Sequence, residues 1–364
     1  MEEKLLNWWQ PNFDEEDAQA VYKVVKSGYI NEGEITNELC ANISKYLGVK
    51  YVIAAPNGTQ ALYLALKSLG IGKGDEVIVP ALTFIATASA VIMSGAKPVF
   101  ADVNLEDCNI RVQQLKNLIS KRTKAILPVH VNGRMADMEE INKIAQEYGL
   151  CVIEDAAEAF GSNLCGKYLG TMSDVGIISL APTKIITSGQ GGFVLTNNES
   201  INQKIVEMKD HGRLSRSWNH HPEIGANFKF NDILAALAIS QLKGLEIRLQ
   251  KAVSDYLYYK KKLEENPLVR FFETKLNEGI IPLWVDIEIN EDRESFIEYM
   301  RKNKIIVRPF WPSIPSQKPY QKFRSGKVDN ANHLAKSCVW LPSGFEKHVA
   351  DIERVVQKIN SYNG

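Results

Sequence analysis

Seven short apolar runs, most of them separated by stretches of helical periodicity, set the tightest limit on what this 364-residue chain can fold into. They are Tyr51 to Ala55, Glu76 to Val79, Pro98 to Val103, Ala125 to His130, Cys151 to Asp155, Val175 to Leu180 and Phe193 to Thr196. This repeated order of strand then helix predicts an α/β fold with a mostly parallel sheet covered on both faces. The pattern changes after the helical run Asn231 to Leu249. A long charged helix near Ala252 to Glu265 precedes a strand-like Ile280 to Ile287, a helix-like Arg293 to Asn303 and a Pro- and Trp-rich loop from Pro309 to Pro319. Two domains are therefore expected, a large one over residues 1–240 and a smaller α+β one over 241–364.

Open α/β sheets present ligand-binding groups at the carboxyl ends of their strands. Three positions of that kind carry chemistry. Lys184 lies between the apolar run ending at Leu180 and the glycine-rich Gly189-Gln190-Gly191-Gly192. A lysine desolvated there has a depressed pKa and can form a Schiff base with an aldehyde or ketone. Asp155 ends a buried β-branched run, where a carboxylate can hold a cationic ring such as a protonated pyridine. Asn57-Gly58-Thr59 follows a strand and opens a helical run, so its amides can seat a phosphate. Taken singly, these features read equally well as a loop lysine, a structural ion pair and a capped turn. In this order they are the phosphate cradle, pyridine acid and Schiff-base lysine that a pyridoxal-phosphate enzyme requires.

The chain resembles the sugar aminotransferases of the DegT/DnrJ/EryC1/StrS family over nearly its whole length. The likeness is carried by Gly28-Tyr29-Ile30, Pro80-Ala81-Leu82-Thr83-Phe84-Ile85-Ala86-Thr87 and Glu154-Asp155-Ala156-Ala157-Glu158-Ala159-Phe160-Gly161. It continues through the Lys184 segment, His211-Gly212-Arg213, Gly225-Ala226-Asn227-Phe228-Lys229 and Leu341-Pro342-Ser343. The resemblance implies a three-layer αβα sandwich of the aspartate aminotransferase type, fold type I, with a smaller C-terminal domain. It makes Lys184 the Schiff-base lysine and Asp155 the partner of the pyridine nitrogen. Gly58, Thr59 and Ser179 then fall on phosphate-binding positions, and Phe84 where an aromatic ring stacks on the cofactor. Asn227 matches a residue that reaches the phosphate of the neighbouring subunit, which implies a homodimer with shared active sites. Tyr29, Arg213 and Trp311 fall in substrate-facing regions.

Several positions depart from the commoner family pattern. Glu158 stands where many members carry glutamine near the cofactor's ring hydroxyl. An ionised carboxylate beside a phenolate is repulsive, so Glu158 is expected to be protonated or bonded elsewhere. Leu180, Gln190 and Lys229 replace a usual phenylalanine, acid and arginine, and the stretch Arg308 to Ile314 lacks a frequent histidine. The implied activity is ping-pong transfer of an amino group from L-glutamate to a nucleotide-linked keto-sugar, at C-4 of a 4-keto-6-deoxyhexose as in perosamine-synthase-like members. Amination at C-3 is the alternative, and a cofactor-binding regulatory protein without turnover a more distant one. Relatives that dehydrate replace the lysine with histidine, and Lys184 argues against that chemistry.

Composition agrees with a globular enzyme. A formal net charge of zero argues against a nucleic-acid partner. Arg213 and Arg216, beside Trp218, read either as a grip for a diphosphate or as surface ion-pair partners. The cysteines at 40, 108, 151, 165 and 338 show no close pairing and read as reduced thiols of a cytoplasmic protein. The histidines have no metal-ligand spacing, so no metal site is expected, and His130 reads as a strand-end packing residue. Neither a signal peptide nor an apolar membrane span is found. Gly161-Ser162-Asn163-Leu164-Cys165-Gly166-Lys167-Tyr168 nearly spells a P-loop, but Tyr168 stands where a metal-binding hydroxyl is required. A turn between two short extended segments is the expected structure there.

Overall fold

The computed structural model describes residues 4–213 and 220–362, so Arg216 and Trp218 lie outside the described residues. Seven strands, β1 (Tyr51–Ala55), β2 (Glu76–Pro80), β3 (Lys97–Ala101), β4 (Thr123–Ile126), β5 (Cys151–Asp155), β6 (Val175–Ser179) and β7 (Gly192–Thr196), form one sheet. Its order is β1-β7-β6-β5-β4-β2-β3. The alternation within β2 explains why such runs need cover on both sides: Val77 and Val79 enter one core and Ile78 the core on the opposite face. Around the strands lie α1 (Glu15–Ser27), α2 (Glu34–Leu47), α3 (Gly58–Ser68), α4 (Ala86–Met93), α5 (Met138–Tyr148), α6 (Glu199–Lys209) and α7 (Asp232–Lys243).

Strand direction decides where chemistry collects. β7 runs antiparallel to both β1 and β6, while β6 and β5 are parallel. β1, β5 and β6 therefore point the same way, and their carboxyl ends carry residues 57–59, Asp155 and Ser179 to one edge of the sheet.

A second, four-stranded antiparallel sheet is built from β8 (Val269–Phe271), β9 (Val285–Ile289), β10 (Arg308–Pro309) and β11 (Cys338–Leu341), in the order β8-β9-β11-β10. It follows α8 (Leu245–Leu263) and has its own apolar core, which includes Tyr256, Phe296 and Ile352. The segment around Leu6 also joins this layer: Leu6 N–H donates to Lys304 O and Ile306 N–H to Leu6 O, both at 2.9 Å. Arg134 ties the two layers together through a buried, two-pronged ion pair with Asp286 at 3.0 and 2.8 Å.

Several boundaries differ from the sequence expectations. β4 stops at Ile126 because Pro128 has no N–H with which to extend the ladder. The helical run from Asn231 breaks at Gly244, where α8 begins. β9 starts at Val285 rather than Ile280, because Gly279 and Ile281 instead bond to Asn163 and Ser162. Arg308 and Pro309 pair as a short edge strand where only a loop was expected, and proline is tolerated at an edge. The P-loop-like stretch is a hairpin, with Asn163–Leu164 paired to Lys167–Tyr168.

Candidate active site

Asn57 caps α3 by accepting from Gln60 N–H at 2.9 Å. The first-turn amides of Gly58 and Thr59, which a helix leaves without intrahelical partners, then face a cavity at the carboxyl edge of the sheet. Ser179, the last residue of β6, sits against this helix start. A Cβ at position 58 would stand 3.2 Å from Ser179 Cβ, so glycine is what allows the close approach. Ser179 Oγ accepts from Ala181 N–H at 3.2 Å, which leaves its own proton for an anion. A helix N-terminus joined by a hydroxyl donor is a seat for a phosphate.

Asp155, at the end of β5, is 4% exposed. Its carboxylate accepts from Thr87 Oγ1 at 2.9 Å and Ala157 N–H at 3.2 Å. Burial pushes its pKa up; these two bonds and the charge of Lys184 pull it back. A cationic ring nitrogen delivered to it would reinforce the ionised form.

Lys184 lies in the turn after β6, its side chain 12% exposed. Nζ is 3.6 Å from Glu158 Oε1 and 5.0 Å from the centre of the Trp284 ring. Burial likewise pushes the Glu158 carboxyl up, with Lys184 opposing. Glu158 Oε2 accepts from Asn132 N–H at 3.0 Å, so the glutamate is bonded elsewhere, as expected for a carboxylate at this position. Asn132 adopts the left-handed conformation at φ 51, one that asparagine tolerates better than most residues.

Thus Gly58, Thr59, Phe84, Asp155, Glu158, Ser179, Lys184 and Trp311 all line one cavity. Phosphate donors, a buried carboxylate and a reactive amine together fit a phosphorylated pyridine aldehyde. Tyr29 is 83% exposed and does not line the cavity. Arg213 lines a different cleft and is bonded to both oxygens of Asp210 at 2.7 Å. Asn227 is exposed, pairs with Asp210 and also lies outside this cavity.

Among the lining residues that sequence reasoning missed, the large or charged ones are Trp8, Trp284, Trp340 and Arg308. Arg308 lies 4.8 Å from the Trp8 ring centre and 5.7 Å from that of Trp340. Its backbone pairs with Trp340, but among the described residues its guanidinium, with five donors, makes no hydrogen bond or salt bridge. Trp284 and Trp340 sit inside apolar runs, which read as core, and Arg308 follows one, so local pattern did not mark them as lining a site. His130 is buried and structural: Ala136 N–H donates to Nδ1 at 3.1 Å, so Nε2 donates to Glu154 at 3.0 Å.

A model of the DegT/DnrJ/EryC1/StrS aminotransferase family matches residues 11–360. A GDP-perosamine synthase from Escherichia coli O157:H7 is 34% identical over 99% of this chain and 99% of its own length. A UDP-2-acetamido-2-deoxy-3-oxo-D-glucuronate aminotransferase from Pseudomonas aeruginosa is 37% identical over 65% of this chain and 66% of its own. Among solved structures, a DegT/DnrJ/EryC1/StrS aminotransferase from Brucella abortus superposes with a TM-score of 0.90, at 29% identity, covering 95% of this chain and 94% of the other.

Proposed function

Because the chain belongs to the DegT/DnrJ/EryC1/StrS family of pyridoxal-phosphate aminotransferases, we propose that it moves an amino group from L-glutamate to a keto-sugar carried on a nucleoside diphosphate. The position aminated is C-4 of a 4-keto-6-deoxyhexose. The observation that carries this reading is the meeting of Lys184, Asp155, Glu158 and Arg308 in one cavity beside the phosphate seat. The perosamine synthase matched along the whole chain supports C-4. The relative named for a 3-oxo sugar, matched over a smaller share, supports C-3 as the second reading.

Pyridoxal phosphate, when bound, supplies an aldehyde for amine exchange and a protonated ring that delocalises the electrons of a broken C–H bond. The chain does the rest. Gly58, Thr59 and Ser179 hold the phosphate, Asp155 keeps the ring nitrogen protonated, and Phe84 covers a ring face. Lys184 Nζ anchors the aldehyde. With its amine free, Lys184 Nζ would be the base that takes the proton from the donor's α-carbon and the acid that gives one to the sugar carbon receiving the amino group. Arg308 provides the counter-ion for the donor's carboxylate. The tryptophans around it exclude water, which strengthens that pairing. Asn227, exposed and outside its own cavity, serves the phosphate of a second copy, so the active unit is a homodimer.

The test is to incubate the protein with pyridoxal phosphate, L-glutamate and GDP-, UDP- or dTDP-linked 4-keto-6-deoxyhexoses or their 3-keto counterparts, and to assign the product by NMR. An amine at C-4 is expected. Amination only of 3-keto sugars would move the assignment to C-3, and no amination of any keto-sugar would contradict the reading.

A further inference from the structure

The turn that carries Lys184 has few bonds of its own. Lys184 N–H reaches back to Ala181 O at 3.0 Å, but the carbonyls of the two residues just before the lysine have no backbone partner among the described residues. Each instead accepts from an indole. Trp9 Nε1 donates to Pro182 O at 3.1 Å, and Trp284 Nε1 donates to Thr183 O at 3.0 Å. Both bonds are partly shielded from water and span 173 and 101 positions of the chain, so they tie the turn to distant segments and restrict where it can sit.

Both indoles pack into the core beneath the large sheet and are also held by residues outside it. Trp9 packs edge-on to Phe345 at 6.4 Å, and a Cβ on Gly344 would stand 2.9 Å from its ring. The neighbouring Trp8 carbonyl accepts from Ser343 N–H at 3.0 Å. Trp284 immediately precedes β9 and is gripped twice by the Asn132 amide, which accepts from Trp284 N–H at 2.7 Å and donates to Trp284 O at 2.9 Å. Asn132 in turn donates its backbone N–H to Glu158, the residue nearest Lys184 Nζ on the other side. The same Trp284 ring presents its face to Lys184 Nζ. Such bonding is no automatic result of burying an indole here, because Trp340, packed 5.5 Å from Trp284, has no partner for its N–H among the described residues.

We propose that Trp9 and Trp284 are positioning residues for Lys184: two indole N–H groups from the second layer clamp the peptide carbonyls at 182 and 183 and so set the place of the reactive amine. Docking of the N-terminal segment and of β9 against the large sheet is then a condition for a correctly aimed lysine. The inference rests on Lys184 being that amine.

The test uses full-length W9F and W284F, which remove the N–H and keep an aromatic ring. Y259F is the control: it loses a buried hydroxyl bond to Pro342 O in the same layer and touches nothing in the lysine turn. Three quantities are read: the rate at which the lysine-dependent visible band grows when cofactor-free protein meets pyridoxal phosphate, the kcat and KM values, and the isotope effect with α-deuterated L-glutamate. The clamp predicts that W9F and W284F each slow band growth and lower kcat about 10- to 100-fold, the cost of misplacing a reacting group by about an ångström. It predicts unchanged KM for both substrates and a larger isotope effect, with Y259F at the wild-type value in all three. The proposal is overturned if W9F and W284F lose only melting temperature, as Y259F does, while band growth, kcat and isotope effect stay at wild type. K184A separates the two levels: a visible band that survives in K184A sinks the role of the lysine itself, whereas a band lost in K184A but unaffected by the tryptophan variants sinks the clamp alone.

Discussion

At the scale of single residues, two buried carboxyls and two cations share the cavity. Lys184 stands beside Glu158, whereas the Arg308 guanidinium lies against both the Trp8 and Trp340 rings and makes no salt bridge among the described residues. A guanidinium aimed at a partly buried cavity gains most from a bidentate carboxylate. Hydrogen bonds to charged groups contribute about 1.5–3 kcal/mol, roughly 10- to 100-fold in affinity. R308Q is therefore expected to raise the KM for L-glutamate and the Kd for 2-oxoglutarate by that factor while leaving the KM for the keto-sugar in place. Steady-state kinetics and calorimetry check this. A rise confined to the keto-sugar KM would instead assign Arg308 to the nucleotide's diphosphate.

At the scale of elements, the connection between α6 and α7 is closed at its root by Asp210. Its carboxylate accepts from Lys229 Nζ at 2.6 Å and from Arg213, and the backbone of Asp210 pairs with Asn227. Burial raises the Asp210 pKa, but the two cations overcome it and hold the carboxyl at about 2. A carboxyl depressed on folding adds stability that is complete above the ordinary aspartate value and is lost as pH falls through the folded one. D210N is expected to melt below the wild type near neutral pH. The gap should close between roughly pH 4 and about 2. A gap independent of pH would contradict the assignment. The strands of the large sheet were legible because each is a local apolar run, and Asp155 and Lys184 stood out because they sit where such runs end, whereas Ser179 came only from the family resemblance. Arg308 was not legible, since β10 is two residues long and exists only by pairing with β11. Nor was Trp9, whose partner Pro182 is 173 residues away and leaves no mark in local pattern.

At the scale of the whole molecule, the site is completed by two layers, the second with a core of its own and both contributing to the main one. The large sheet provides the phosphate seat, Asp155 and the lysine turn; the second layer and the N-terminal segment provide Arg308 and most of the tryptophan wall. Arg134 with Asp286, and Asn132 with Trp284, bind the layers within a few residues of Glu158. The fold class follows from the order of strands and helices, but this docking follows from contacts between residues more than a hundred positions apart, which composition and periodicity do not encode.

The central claim is that Lys184 is the amine that links this cavity to an amino donor. The most direct test is the visible absorption spectrum of the protein with pyridoxal phosphate, before and after L-glutamate, for the wild type and Lys184→Ala. The account predicts a band in the wild type that glutamate bleaches, with release of 2-oxoglutarate, and a variant that binds the cofactor without the band and without turnover. A band that persists in Lys184→Ala, or one in the wild type that glutamate leaves untouched, would contradict it.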